Sequence, residues 1–291
     1  MRETVAVSGA FCANMVEVER MTAALDYNKL VITSTKNSKI KALRALQNQA
    51  KERKKSASFV IEGVRLAEEA VAADWPVRSG IYTEALSARG QAILNQLIQA
   101  GANLEAVSAQ VMKAASDTQT PQGILLELDA QELALVEAVD FVLIADEVRD
   151  PGNLGSLLRS AAAAGVDAVL LSPGCADAFS PKVLRSGMGA HFQIAMRKLR
   201  WDEIGVFSRE HRLEVLLAAA GEGRAYDQED LSKPLAIILG GEAQGAGEEA
   251  RALAGDILHI PMPGKMESLN AATAGSLFLF EALRQRKAKA K

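Results

Sequence analysis

Five short apolar runs in the second half of the chain constrain its fold more than any other feature. Few polar residues interrupt them, and they lie at residues 141–145, 167–172, 213–218, 235–239 and 257–260. Strands of a parallel sheet are buried on both faces and have this continuous apolar character, whereas half-exposed strands alternate apolar and polar residues. Helix-like runs lie between the strands, the last of them at 269–286. The pattern predicts an α/β fold in which helices cover both faces of a mainly parallel sheet.

The first half of the chain also alternates strands and helices, which indicates a second α/β domain. Strands are predicted at 58–62, 77–83, 102–108 and 123–129, and helices at 63–73 and 88–101. An earlier helix, with Ser38 as its N-cap, carries Ile40, Leu43 and Leu46 on one face.

The predicted domains follow from these patterns. They are a leader of unknown role at 1–28, an α/β domain at 29–128, a connection at 129–139 and an α/β domain at 140–291. The connection contains no proline or glycine, so a short helix is compatible with it.

Composition excludes several classes of protein. The 291 residues are 49% hydrophobic and 24% charged, which is typical of a globular chain. The two cysteines, Cys12 and Cys175, cannot form a disulfide framework and lack metal-site spacing. No apolar run reaches the roughly 18 residues of a membrane span, and the first residues lack the pattern of a signal peptide. We therefore expect a cytoplasmic protein without a metal.

The distribution of charge suggests a nucleic-acid partner, although the net charge is −3. Residues 29–55 contain nine Lys or Arg and one acid, and the C-terminal segment RQRKAKAK adds five more bases. A local basic patch, rather than the global sum, is what meets a phosphate backbone. The candidate RNA contacts are Lys36, Lys39, Lys51, Arg53, Lys54 and Lys55, and the alternative is an ordinary solvated helix face.

Ligands of an open α/β sheet bind beyond the carboxyl ends of its strands, so the loops there are the candidate sites. In the first, residues 145–165, Asp150-Pro151-Gly152 predicts a turn and Asn153 a helix N-cap. Arg159 interrupts an otherwise apolar helix. An arginine there is either an ordinary exposed residue or a bidentate ligand for phosphate.

The other two loops have unusual backbone chemistry. Gly240 and Gly241 follow a strand and precede Glu242, without a phosphate-loop Lys or a dinucleotide fingerprint. This excludes nicotinamide dinucleotides. In IPMPGKMESLN, Pro261 and Pro263 fix the backbone before Ser268 and Asn270, which are candidate helix-capping residues.

The order and spacing of these three segments resemble the signature motifs of the SpoU (TrmH-type) RNA ribose methyltransferases of the SPOUT superfamily. The motifs are D-x-x-x-D-P-x-N-x-G-x-x-x-R, L-G-G-E-x-x-G and I-P-M-x-G-x-x-x-S-L-N, at residues 146–159, 239–245 and 260–270. The resemblance covers about residues 140–286. Residues 29–128, with FVIEGVRLAEEAV and TPQGIL, more weakly resemble the L30e-like RNA-binding domain of this family.

This resemblance implies a trefoil knot in the C-terminal domain, a homodimer with the active site at the subunit interface, and S-adenosylmethionine as cofactor. Ordinary folding rules would not suggest a knot. The implied cofactor contacts are Gly240, Ile260, Met262 and Leu269. The implied catalytic residues are Asn153, Arg159, Glu242, Ser268 and Asn270. Gly241 stands where some relatives have alanine, and this difference is not expected to matter.

The implied reaction is methylation of a ribose 2′-hydroxyl, with 23S ribosomal RNA as the expected substrate. The family assigns the role of base to the arginine, yet a guanidinium with a pKa above about 12 is a poor base. Either Arg159 orients the substrate while Glu242 accepts the proton, or Arg159 takes it; the sequence leaves both open. Transfer-RNA methylation and an RNA-binding protein with an idle methyltransferase domain are the alternatives.

Overall fold

Two β-sheets organise the protein in the computed structural model, which describes residues 31–241 and 245–289. We call residues 31–129 the N-terminal unit and residues 141–289 the C-terminal unit. The leader at 1–28, together with Cys12 and Lys29, lies outside the described residues. Within the described ranges, no helix has the length and apolar character needed to cross a membrane.

The N-terminal unit is a four-stranded sheet with helices packed on it. Its helices are α1 (Ser38–Asn48), α2 (Ala50–Ser56), α3 (Val64–Ala72), α4 (Ala88–Gln99) and α5 (Ala109–Ala115). Its strands, β1 (Ser58–Glu62), β2 (Val77–Tyr82), β3 (Leu104–Ala106) and β4 (Ile124–Asp129), take the order β1-β4-β2-β3. β4 is antiparallel to both β1 and β2, while β2 and β3 are parallel. The predicted strands and helices are confirmed, whereas the short helices α2 and α5 were not predicted.

One detail of this prediction is wrong, and the structure decides one point that the sequence left open. The N-cap of α1 is Asn37, whose side chain accepts a hydrogen bond from the Lys39 amide at 2.8 Å, so Ser38 is the first helical residue. The segment 130–140 contains no helix. Its Leu133 and Leu135 are half-buried against apolar residues of the C-terminal unit, and this packing holds the segment without helical hydrogen bonds.

The C-terminal unit is a seven-stranded sheet in which every pairing is parallel. Its strands are β5 (Phe141–Asp146), β6 (Ala168–Leu171), β7 (Ala195–Lys198), β8 (Glu214–Ala218), β9 (Arg224–Ala225), β10 (Leu235–Gly240) and β11 (Asp256–His259). Its helices are α6 (Pro151–Ala164), α7 (Pro181–Gly187), α8 (Trp201–Glu210), α9 (Glu248–Leu253) and α10 (Ala271–Lys289). The five predicted strands are confirmed. The two that sequence did not reveal are both edge strands, and they are short and partly polar.

The strand order β7-β6-β5-β10-β8-β11-β9 places β5 and β10 side by side in the middle of the sheet. The strands β6 and β7 lie on one side of β5, in chain order towards one edge of the sheet. The strands β8 to β11 all lie on its other side. Leu235 pairs with Phe141 and Gly240 with Asp146, so the carboxyl ends of the two central strands coincide. This reversal of strand order opens a crevice for ligands at that edge.

Aromatic residues and a buried ion pair join the two units. The rings of Phe59 and Phe179 lie 4.6 Å apart, and those of Trp75 and Phe192 lie 5.1 Å apart. Aromatic pairs at these distances stabilise a fold by more than the burial of their apolar area alone. The junction also holds Arg53 of α2, which reaches across to the C-terminal unit.

Arg53 was predicted to contact RNA, and the structure contradicts this. Its guanidinium is buried, donates to Asp177 Oδ2 from Nε at 2.9 Å and from Nη2 at 2.6 Å, and donates to the backbone oxygens of Leu46 and Gln47. Lys39 is also engaged, because its ammonium lies 3.2 Å from a carboxylate oxygen of Glu105.

Replacing Arg53 with Ala should lower the free energy of unfolding by about 2–3 kcal/mol. The change leaves the carboxylate of Asp177 and two carbonyl oxygens without their donor. Urea unfolding followed by circular dichroism measures the effect. The matched control is Lys51→Ala on the same helix, where an exposed side chain should change stability by less than about 0.5 kcal/mol. Equal stability of the two variants would contradict the role of Arg53 as a junction residue.

Candidate active site

A cavity of about 500 Å³ lies beyond the carboxyl ends of β8, β10 and β11, against the start of α10. This volume is within the range of small-molecule sites. Its walls come from the chain just after β8, from the end of β10, from the segment after β11 and from the first turns of α10. The site therefore occupies the crevice that the strand order creates.

The structure brings the four predicted cofactor residues to this one cavity. Gly240, Ile260, Met262 and Leu269 all line it, although they come from separate segments of the chain. Ser268 and Asn270 line it as well. Glu242, the predicted catalytic residue of the second motif, lies outside the described residues.

Close backbone approach explains the two glycines that end β10. A Cβ atom on Gly240 would lie 2.6 Å from the Ala246 nitrogen and 2.7 Å from the Gly245 oxygen. A Cβ atom on Gly241 would lie 2.6 Å from the carbonyl oxygen of Glu147. An alanine at Gly241 would therefore require the backbone to shift.

Two predicted helix caps are each displaced to a neighbouring motif residue. Asp150, rather than Asn153, caps α6, because its Oδ1 accepts the Asn153 amide at 2.9 Å. This bond, with a smaller contribution from Lys182, holds the pKa of Asp150 below its ordinary value. Asn270, rather than Ser268, caps α10, because its Oδ1 accepts the amides of Ala272 at 3.0 Å and Thr273 at 3.2 Å.

The displaced caps leave two asparagine side chains facing each other. Asn270 Nδ2 donates to Asn153 Oδ1 at 2.9 Å, which joins the third motif to the first. Asn153 lies in the first turn of α6, where its side chain is not needed for capping. This bond holds the start of α6 against the start of α10 beside the cavity.

Asp146, at the end of β5, holds the loop after β10 in place. Its buried carboxylate accepts the Gly247 amide at 2.8 Å and the Ser172 hydroxyl at 3.2 Å. Burial raises the pKa of Asp146, although both hydrogen bonds oppose the shift. This residue is therefore a structural support for the segment that contains the second motif.

Arg159 is exposed and does not line the cavity. No hydrogen bond or ion pair joins its guanidinium to another residue within 31–241 and 245–289. Its helix α6 packs along α10, where the hydroxyls of Ser160 and Ser276 lie 2.7 Å apart. Next to this contact, α10 exposes Leu277 at 39% and Phe280 at 46%.

Sequence reasoning missed one ion pair in the cavity wall. Glu222 and Arg251 both line the cavity, with two bonds of 2.9 and 3.0 Å between their side chains. The guanidinium holds the pKa of Glu222 below its ordinary value. The one available signal was that Glu222 lies in a loop following a predicted strand.

No histidine lines the cavity among the residues that the structure describes. His191 is buried at the junction of the two units, where its Nε2 lies 2.7 Å from the Ala178 carbonyl oxygen and burial lowers its pKa to about 4. His259 is next to a motif, but its Nδ1 lies 3.2 Å from the Glu222 carbonyl oxygen. The described part of the chain also contains no group of three or more metal-ligating side chains.

Comparisons with known proteins agree with this arrangement. Residues 140–280 match the SpoU rRNA Methylase family, and residues 37–126 match the MRM3-like substrate binding domain. The chain is 36% identical to the 23S rRNA (guanosine(2553)-2′-O)-methyltransferase RlmP of Bacillus subtilis, over 86% of this chain and 97% of the relative.

Two solved structures have a similar fold. An RNA 2′-O ribose methyltransferase superposes with a TM-score of 0.77 at 33% identity, covering 89% of this chain and 100% of that one. An AdoMet-bound rRNA methyltransferase from Sinorhizobium meliloti superposes with a TM-score of 0.78 at 28% identity, covering 88% and 97%.

Replacing Gly240 with Ala should weaken cofactor binding at least tenfold, because the new methyl group would push residues 245–246 away from the end of β10. Isothermal titration calorimetry with S-adenosylmethionine measures the change. The matched control is Gly255→Ala, where the nearest atom to a new Cβ is the Val215 oxygen at an ordinary 3.7 Å. Parent affinity in Gly240→Ala would show that this close approach is unimportant for the cavity.

Proposed function

Because the chain belongs to the SpoU rRNA methylase family, we propose that it methylates a ribose 2′-hydroxyl of 23S ribosomal RNA with S-adenosylmethionine. The observation that carries the proposal is that residues of the second and third motifs meet in one cavity, while Asn153 of the first joins Asn270 at its edge. A relative named for 23S rRNA spans nearly the same length, which supports the choice of substrate.

The lining of the cavity fits S-adenosylmethionine. Apolar side chains of Leu239, Ile260 and Leu269 suit the faces of an adenine ring, and the glycines beside them leave backbone amides and carbonyls accessible. The absence of a phosphate-binding loop in the sequence also agrees with a cofactor that has no phosphates. We propose Gly240, Ile260, Met262 and Leu269 as its contacts. When bound, the cofactor supplies the methyl group.

The residues of the chain position the 2′-hydroxyl and remove its proton. We assign Arg159 to orient the hydroxyl and a neighbouring phosphate, since its planar fork can hold two oxygens together. Positioning of this kind can lower the barrier by several kcal/mol. Asn153, Ser268 and Asn270 shape the polar rim, and either Glu242 or Arg159 accepts the proton.

A homodimer would complete this site. Arg159 does not line the cavity of its own chain, and its helix α6 packs against α10, which exposes the apolar residues Leu277 and Phe280. We propose that a second copy covers this face and that Arg159 of one subunit serves the cavity of the other. The implied trefoil knot is part of the same proposal, and the Pro-Gly loop of the third motif and the helix after it would belong to the knot.

The N-terminal unit is proposed to bind RNA. The domain boundaries at 29–128 and 140–291 agree with a four-stranded sheet ending at Asp129 and a seven-stranded sheet beginning at Phe141. Lys36, Lys51, Lys54 and Lys55 are exposed and available for phosphate contacts, whereas Arg53 is not. A ribosomal RNA substrate is consistent with a cytoplasmic location.

Two alternatives are separable by experiment. Transfer RNA would use the same chemistry, and the relative named for 23S rRNA favours the ribosomal substrate. An idle enzyme that only binds RNA would bind S-adenosylmethionine weakly or not at all.

Purified protein should transfer labelled methyl groups from S-adenosylmethionine to 23S rRNA, and Arg159→Lys should reduce the rate about 100-fold. That loss corresponds to about 2.7 kcal/mol of transition-state stabilisation, because lysine keeps the charge but not the planar fork. Cofactor affinity should stay unchanged. The control is Arg209→Lys, at an exposed position on α8. A parent that labels transfer RNA but not ribosomal RNA would refute the substrate, and a parent rate in Arg159→Lys would refute the role of Arg159.

The protein should be a two-fold dimer at micromolar concentration, and Phe280→Glu should convert it to a monomer with little transferase activity. In a dimer, the new carboxylate would be buried at the proposed interface without a partner, and this cost in free energy should exceed the gain from association. Light scattering gives the oligomeric state. The control is Val206→Glu, which places the same charge on an apolar residue of similar exposure, 44%, on α8. An active parent monomer would refute the shared site.

A further inference from the structure

A second cleft, of about 720 Å³, lies in the N-terminal unit. We call it the N-terminal cleft. It is bordered by the start of α3, the start of α4, the helix α5, the end of β2 and the loop that precedes β4. Among the described residues, it shares no lining residue with the cavity at the carboxyl ends of β8, β10 and β11. It is also separate from the basic helix α2, because no residue of 31–55 lines it.

The charge of the N-terminal cleft has a single sign. Arg65, Arg89 and Lys113 line it, and no Asp or Glu of the described residues does, in a chain that has 36 acids and 33 bases. Arg89 is held by both carboxylate oxygens of Glu68. Arg65 and Lys113 are exposed and form no ion pair with another residue of the described chain. Two cations without an acidic partner in a cleft create a positive electrostatic potential there, which attracts anions.

One hydroxyl in the wall lacks a partner. Thr83 is 8% exposed, and its side chain forms no hydrogen bond with any residue in 31–241 or 245–289. Gly123, at φ +83°, passes so close that a Cβ atom there would lie 2.6 Å from Thr83 Oγ1. Its oxygen is not a buried unsatisfied atom but keeps contact with solvent, so it is accessible from the cleft. It is therefore placed to bind a polar group that enters the cleft.

Two helices, α3 and α4, also begin beside the N-terminal cleft. The N-cap of α3, Gly63, supplies no side-chain hydrogen bond, and Gln122 Oε1 accepts the Val64 amide at 2.9 Å. α4 begins after Ser87, which lines the cleft and accepts the Gly90 amide at 3.1 Å. Helix N-termini carry about half a positive charge and favour anions such as phosphate.

We propose that the N-terminal cleft binds backbone phosphates of the substrate RNA, with Arg65 and Lys113 as the charged contacts and Thr83 as a neutral donor. The inference rests on the proposed function, which supplies RNA as the polyanion. Phosphate oxygens accept hydrogen bonds from guanidinium, ammonium and hydroxyl groups, and Arg65, Lys113 and Thr83 supply these donors at the cleft.

The test is filter binding of the full chain to in vitro transcribed 23S rRNA between about 50 and 200 mM salt. The double variant Arg65→Ala, Lys113→Ala should raise Kd at least tenfold and reduce the slope of log K against log salt by about 1.5, because two phosphate contacts are lost. Thr83→Val, which keeps the shape of the side chain, should raise Kd a fewfold and leave the slope unchanged. The control, Arg209→Ala with Lys233→Ala, removes the same charge from exposed positions of the C-terminal unit.

Kinetics separate this inference from the proposed function. The double variant should show a higher KM for RNA, an unchanged kcat at saturating RNA and parent affinity for S-adenosylmethionine. Parent-like RNA affinity and salt slope in both the double variant and Thr83→Val would overturn the inference, whatever the parent methylates. A parent that binds RNA through this cleft but transfers no methyl group would refute the proposed function and support the cleft.

Discussion

The parallel pairing of β5 with β10 is the interaction on which the rest of the site depends. It aligns Asp146 with Gly240, so two loops that are distant in sequence leave the sheet at the same point. The carboxylate of Asp146 then holds the Gly247 amide, and the carbonyl of Glu147 passes against Gly241. A bulkier residue at either glycine would separate the loops. The space between the backbones accommodates the hydrogen atom of a glycine but not a methyl group.

One asparagine at this site makes two structural contacts at once. Asn270 uses its oxygen to cap α10 and its amide nitrogen to bind Asn153, so the two motif asparagines fix each other while they shape the rim of the cavity. Asp150 takes over the cap of α6, which releases the side chain of Asn153 for this contact. A substitution of Asn270 would therefore change the start of a helix and the geometry of the site together.

The two units are joined by groups that are costly to separate. Arg53 satisfies one carboxylate and two carbonyl oxygens, and the rings of Phe59, Trp75, Phe179 and Phe192 pack around the junction. Removing the guanidinium would leave those acceptors unsatisfied in a buried place. The junction thereby fixes how the N-terminal cleft is oriented relative to the C-terminal cavity.

Local sequence determined the α/β class, the five apolar strands of the C-terminal sheet and the three motif segments, because apolar periodicity and motif spacing are local properties. Local sequence did not determine which asparagine or aspartate caps each helix. Several residues near each helix start can act as the N-cap, and the backbone geometry selects one of them. Tertiary structure alone decided that Arg53 is a buried junction residue rather than an RNA contact, because Asp177 is 124 positions away. It also decided that Arg65, Lys113 and Thr83 share one cleft and that Glu222 and Arg251 complete the cavity wall. Contacts between distant segments depend on how strands pair, and no pattern in a single segment records them.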